Sequence, residues 1–338
     1  MIDSSAPEKG SILVTDAHQI GGLGVIRSLG MAQYKVFGAA PSQWQNVGGC
    51  RSRHLHHRMV SPSPWTNVSD YAEWVSKACQ RHNFDAVFPV SEAAMIAASD
   101  AKASGGLSDC HVIGPSREAL RRCLSVGNVV SLLRKEGLAV PDVHTLCDAD
   151  KIHEEVLAKV TYPVVVHRPL ALSQRGRLRA PTDRVCYSSD ELMAFADECI
   201  SLGAPLLIIG DHSGHSVSTY CIRWHGTDIS QFAQKSIHEA DVGRLLSSLR
   251  EEDNGSLVSQ ASKVLRILDL DGMHNVRFQL RDDGNAIFDG ITPGVPGSIS
   301  LPILKGVSLP AQLVDHVIGV PHVPPPAKSH LRRCSNFY

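Results

Sequence analysis

The sequence predicts an α/β unit followed by an α+β body. Three observations carry that prediction: a strand, glycine turn, helix and strand at the start, strands that fall in hairpins across the second half, and an Asp-Gly pair between the last two apolar runs. Ser11 to Thr15 (SILVT) is a short apolar run of β type, followed by the turn Gly21-Gly22-Leu23-Gly24. A helix through Val25 to Leu29 and a second run from Tyr34 to Gly38 complete a βαβ unit. A helix around Tyr71 to Arg81, a strand from Ala86 to Val90, a helix from Glu92 to Lys102 and a strand from Cys110 to Ile113 repeat the pattern. Together they make a small doubly wound, Rossmann-like domain over residues 1–115. The glycine turn is similar to a dinucleotide loop but lacks a third glycine at the proper spacing and an acidic residue ~20 positions on. It is expected to serve only the tight passage from strand to helix.

Residues Ser116 to Gly137 read as one helix, closed by Gly137 with Pro141 beyond it. Strands are then expected at Pro163 to Val166, Leu206 to Ile209, Val217 to Arg223 and Ile229 to Lys235, with helices at Ser189 to Leu202 and Ser256 to Leu268. His274 to Leu280 and Asn285 to Ile291 flank Arg281-Asp282-Asp283-Gly284, whose Asp-Gly is a hairpin signal. The division expected is a linking helix and first lobe over 116–205, a second lobe over 206–320, and a Pro-rich, basic tail over 321–338.

With 338 residues, 43% hydrophobic and 20% charged, the chain can bury the cores of two or three layered units. A net charge of -1 leaves no surplus of Lys and Arg to neutralise phosphates, which excludes a non-specific nucleic-acid binder. Nine cysteines are scattered without CxxC pairs, so reduced thiols in a cytoplasmic protein are expected. The N-terminus has no basic flank before an apolar core, and no run of ~18 apolar residues occurs, so neither export nor membrane insertion is expected.

Four passages carry a resemblance. LDLDGMHNVRFQLRDDGNAIFDGITPGVPGSISLPILKGVSLP is similar to a pattern of Gly, Asn-Val-(Gln/Glu)-Phe, a hairpin, an acidic strand ending in Asn-Pro-Arg, and a Gly-Val-(Asp)-Leu-Pro close. YPVVVHRPLALSQRGRLR is similar to a strand and phosphate loop of the form PVVVRPS-x-x-x-GG, and RSRHLHHRMVSPSP and FDAVFPVSEAAMIAAS have the character of the domain that precedes it. Over roughly residues 11 to 320 the chain thereby resembles the ATP-grasp superfamily, in the branch of carbamoyl phosphate synthetase domains and bacterial carboxylate-amine ligases. The resemblance implies a Rossmann-like pre-ATP-grasp domain followed by a two-lobed ATP-grasp domain. It also implies ATP between the lobes, magnesium on carboxylates of the last hairpin, and an acyl phosphate attacked by an amine.

The family's site residues carry over unevenly. Arg168, with Arg175 and Arg177 beside it and Arg179 completing the basic cluster, is expected to meet phosphate. The second cation position falls on Val126. The ribose-gripping position falls on Gly210, with Asp211 as a shifted replacement, and Lys235 is expected to face the cleft and contact nucleotide or substrate. On the metal hairpin the oxygen-ligand positions read Arg277, Gly290 and Thr292, so a metal site of the family type is expected to be absent or rebuilt from Asp283 or Asp289. Asp289 lies one residue out of place, which in a regular strand turns its side chain to the opposite face. Arg277 then stands as a fixed cation where magnesium would sit, able to pair with Asp289, Asp283 or a ligand carboxylate.

Two functions stay open. The first is an ATP-dependent ligase working with an atypical metal site and using Arg168, Arg277 and Asp289. The second is a pseudo-ATP-grasp protein binding a small anionic ligand or a partner without phosphoryl transfer, or running metal-free chemistry. The first takes a small carboxylate as substrate, and homodimers are common in the family. His212, His215 and His225 are expected to be turn or surface residues, and the run His54 to Arg58 to decorate an exposed strand edge.

Overall fold

A computed structural model describes residues 9–146, 160–168, 171–172, 177–179, 182–200, 206–209, 214–239, 246–251, 255–324 and 333–334. Strands β1 (Ser11–Val14), β2 (Lys35–Ala40), β3 (His57–Val60), β4 (Ala86–Phe88) and β5 (His111–Val112) form a parallel sheet in the order β3-β2-β1-β4-β5. Helices α1 (Ile20–Met31), α2 (Val68–His82) and α3 (Glu92–Ala103) cross over between them. Parallel strands buried on both faces read as unbroken apolar runs, and Ile12, Leu13 and Val14 are fully buried. At the edge, β3 leaves His57, Arg58 and Val60 exposed. The glycines of α1 permit close packing: a Cβ on Gly21 would stand 1.9 Å from the Val295 carbonyl oxygen, and one on Gly24 would stand 2.5 Å from Ile299. The N-terminal helix thus seats directly on the chain that follows the last hairpin.

Helices α4 (Arg117–Cys123) and α5 (Val126–Lys135) replace the single helix expected over 116–137. Ser125 between them has extended backbone, and Gly127 follows, a pair with little helix preference of its own. The next sheet contains β6 (Val143–Leu146), β7 (Val164–Arg168), β10 (Thr182–Cys186) and β11 (Leu206–Ile209), antiparallel in the order β10-β7-β11-β6. Helix α6 (Ser189–Ile200) covers one face, packing Leu192, Phe195 and Ala196 on Val164, Val166 and Ile208. Between β7 and β10 lies the small ribbon β8 (Ala171–Leu172) and β9 (Leu178–Arg179).

The third sheet runs β16 (Ala286–Thr292), β15 (Gly272–Leu280), β12 (His215–Trp224), β13 (Thr227–Glu239), β14 (Leu246–Glu251) and β17 (Arg333–Cys334). Strand β17 pairs with β14, so part of the C-terminal stretch returns to the sheet. Helix α7 (Gly255–Leu268) lays Leu257, Ala261, Val264, Leu265 and Leu268 on Val217, Cys221, Val276, Phe278 and Phe288. Each large side chain buried there contributes ~1.5–3 kcal/mol. The other face carries Tyr220, Ile222, Phe232 and Met273 into a core shared with α1, α8 (Ser300–Leu304), α9 (Leu309–Ile318) and the first sheet. Further along, that same face lines a cavity.

Candidate functional site

Strand register decides which side chains meet. On β15, Asn275, Arg277 and Gln279 alternate away from α7, and they share that face with Ser216 and Ser218 of β12. On β7, Val164 and Val166 point into the α6 core, so Val165 and His167 point the other way. These two faces, with Cys123, Val126 and Val129 from α4 and α5, enclose a cavity of about 180 Å³.

A β-bulge completes its wall. Arg277 pairs with Gly290 but Phe278 pairs with Phe288, leaving Asp289 as the extra residue of β16. Phe288 stays in the α7 core, and Asp289 and Gly290 both fall on the face of Arg277. The expectation for Asp289 is thereby corrected, because the bulge absorbs its one-residue offset and brings it into the cavity. Arg277 Nε donates to Asp289 Oδ2 at 3.1 Å and Nη1 reaches Thr292 Oγ1 at 3.5 Å. Nη2 lies over Gly290, 2.8 Å from where a Cβ would stand, so the guanidinium occupies the space a side chain at 290 would need. Although burial works against its charge, the fields of Asp289, Asp183 and Glu92 hold Arg277 firmly protonated.

Opposite stands a second pair. His167 on β7 and Asp183 on β10 face each other across the ladder, with Nδ1 and Oδ1 2.5 Å apart. Burial raises the Asp183 pKa, but the His167 hydrogen bond and the charges of His167 and Arg277 outweigh it and hold the carboxyl below its usual range. An ionised carboxylate only accepts, so His167 Nδ1 carries the proton of this hydrogen bond. Glu92, at the start of α3, lies within the fields of His167 and Arg277, and burial raises its pKa. Burial also pushes the Cys123 thiol up to about 12, so it is no thiolate nucleophile at neutral pH. Asn275 is 4% exposed and lines the cavity with its Oδ1 unpartnered.

The comparisons with known proteins fit this architecture. No family model matches the chain. Over 225 residues, 62% of its length, it is 25% identical to the carbamoyl phosphate synthase large chain of Methanothermobacter thermautotrophicus, spanning 21% of that protein. Among solved structures it superposes on an L-amino acid ligase from Bacillus licheniformis with a TM-score of 0.69 at 12% identity, covering 96% of this chain and 77% of that one. It superposes on N5-carboxyaminoimidazole synthetase from Staphylococcus aureus at 0.68 and 13%, covering 94% and 79%. For the biotin carboxylase domain dimer of Hydrogenobacter thermophilus 2-oxoglutarate carboxylase, in complex with MgADP, ADP and bicarbonate, the values are 0.70 and 12%, covering 97% and 73%. The chain has the ATP-grasp fold.

Within that ATP-grasp frame the structure brings together only part of the expected site. Arg277 and Asp289 meet. Arg168 belongs by alternation to the face of Val164 and Val166, which α6 covers, and does not line the cavity; His167 takes the inward position. Arg177 is exposed beside β9, also away from the cavity. Lys235 pairs with Val217, whose side chain faces α7, so register puts it on the sheet face opposite Arg277. Asp283 is exposed at the tip of the β15–β16 hairpin, where its carboxylate accepts from the Asn285 backbone and side chain, both at 2.9 Å. Arg175, Gly210, Asp211 and His212 lie outside the described residues. His215 and His225 fall at opposite ends of β12.

Among the described residues, those at the last hairpin do not fit magnesium. At the hairpin the three oxygen-ligand positions hold a guanidinium, a glycine and Thr292, whose hydroxyl faces Arg277 Nη1, and Asp289 pairs with the guanidinium. Among the described residues no group of three or more His, Cys, Asp or Glu is arranged to hold a metal ion. Among them, too, no helix is long and apolar enough to cross a membrane.

Sequence reasoning missed His167, Asp183, Glu92 and Asn275. For His167 a signal was present in the alternation along Val164 to Arg168. It was unreadable while three consecutive valines left the core face unmarked.

Proposed function

We propose that this ATP-grasp chain binds a small carboxylate-bearing molecule in its cleft without magnesium, with Arg277 as the fixed cation in place of the metal. One observation carries the proposal: the guanidinium is held by Asp289 and seated over Gly290, so cation, counter-ion and vacated side-chain space are fitted to one another. A guanidinium meets a carboxylate with paired N–H donors, and its positive charge needs no loading from solution. Residues 1–115 would supply the acid Glu92, 116–205 the His167–Asp183 wall, and 206–320 the Arg277 wall.

The test is thermal unfolding of the full chain with ATP or ADP, each with and without magnesium. The proposal expects any nucleotide-dependent rise in Tm to be the same in the presence and absence of the metal. A rise that appears only with magnesium would overturn it. That outcome would favour the second reading, an ATP-dependent carboxylate-amine ligase, which the shared fold with ligases and with a MgADP-bound carboxylase domain supports.

A further inference from the structure

We propose that the chain carries a second ligand site, for a small carboxylate with an apolar body, in a cavity walled by α2, α3, α4 and β9, where Arg121 meets the carboxylate. This cavity measures about 310 Å³ and shares no lining residue with the one between β7 and β15. Its floor is apolar, built from Val68 of α2, Ile96 of α3, Leu120 of α4 and Leu178 of β9. Water in such a hollow finds few partners for its hydrogen bonds, and an apolar body displaces it without losing any. Clefts for small molecules begin near ~300 Å³, so the space suits a body of several carbons.

The charges at its wall choose the head group. Helix α4 carries three arginines, and two of them have carboxylates: Arg117 Nε lies 2.6 Å from Asp100 Oδ1, and Arg122 Nη2 lies 3.6 Å from Asp269 Oδ2. The third, Arg121, lines the cavity and has no ion pair among the described residues. Of the charged groups at the wall, Arg117 and Asp100 offset each other, so Arg121 leaves the hollow with one positive charge over. A guanidinium takes a carboxylate through paired N–H donors, and the apolar floor disfavours an ion that is all charge. The wall also joins two parts of the chain. Leu178 N–H donates to the Trp65 carbonyl at 2.9 Å, and its side chain is buried in the core of α2 and α3. A ligand here touches the N-terminal domain and the segment between β7 and β10 at once, so its binding stabilises the seam between them.

The experiment is a methyl NMR titration of the full chain in which affinity is read at Leu178, a residue that does not line the cavity of Arg277. The probes are hexanoate, hexanol, which keeps the body without the charge, and acetate, which keeps the charge without the body. Hexanoate is expected to bind about tenfold tighter than either, the gain of a charge-assisted hydrogen bond on top of apolar burial. Arg121→Gln should bring hexanoate down to the level of hexanol, and Ile96→Trp, which fills the floor, should remove both responses. In the wild-type protein, hydrogen exchange of the Leu178 amide gives a readout independent of whether the variants fold: hexanoate should slow it and acetate should not. A Leu178 response to hexanoate that is unchanged in Arg121→Gln, or equal to the response to hexanol, would overturn the carboxylate site. No saturable response at Leu178 to any probe would overturn it as well.

Discussion

Asp289 and Arg277 hold each other in place, and the two ends of the pair differ in how much solvent they see. The Asp289 side chain is 13% exposed and that of Arg277 34%. Removing one partner of a buried pair leaves the other charge uncompensated, which costs ~3–5 kcal/mol when both are fully desolvated. Solvent at the guanidinium discounts that figure, so Asp289→Asn is expected to lower unfolding stability by about 2 kcal/mol in urea titration. The double variant Arg277→Met/Asp289→Leu removes both charges together and should cost less than the sum of the two single changes. Additive losses would mean that the pair is not a unit. At this scale the sequence was partly legible: Arg277 and Asp289 could be named as partners, yet their meeting depends on a bulge that strand periodicity does not contain. Asp283 was the other candidate. Its Asx-type hydrogen bonds to Asn285 keep it at the hairpin tip.

Helices and strands were more legible than the faces they present. The Asn67 side chain caps α2 by accepting from the Ser69 and Asp70 backbone N–H groups at 3.0 and 3.3 Å, and Asn83 closes the helix in left-handed conformation. These are local signals, readable from residue type and position. Asn67→Ala should therefore cost about 1 kcal/mol of stability while Asn67→Ser costs little, measured as the shift in denaturation midpoint at constant slope. An equal loss in both would assign the effect to packing of the segment and not to the cap. Non-local structure was harder to read. Lys235 sits on a strand expected to reach it, and β7 runs past the expected end at Val166 to include Arg168, but an apolar run such as Val164 to Val166 leaves open which residue turns inward, and that is settled by where α6 and α7 pack. The break at Ser125 likewise separates α4 from α5, bringing Cys123, Val126 and Val129 to the cavity wall.

For the whole molecule, buried histidines link stability to pH: burial lowers the pKa of His18 and His54 as well as that of His274. His274 of β15 is fully buried, its Nε2–H donating to the Asp271 carbonyl at 2.9 Å while Nδ1 has no partner among the described residues. Burial lowers its pKa to about 4 in the folded chain, against ~6.5 when unfolded. Between those values the unfolded chain takes up a proton that the folded chain refuses, so stability is complete above about pH 6.5, falls as the pH drops, and levels off below about 4. At 1.36 kcal/mol per unit, a span of about 2.5 units removes roughly 3 kcal/mol. Asp183 acts in a separate window: its depressed pKa contributes stability above the ordinary carboxylate value of ~3.9, and that contribution disappears only at lower pH. The two effects are therefore separable by titration. Urea unfolding of the wild type at steps from pH 7.5 to 4 should show the decline beginning near 6.5, and His274→Gln, which keeps a donor for the Asp271 carbonyl, should make it shallower. An undiminished slope in that variant would assign the acid sensitivity to other groups and would mean that His274 is free to protonate within the fold.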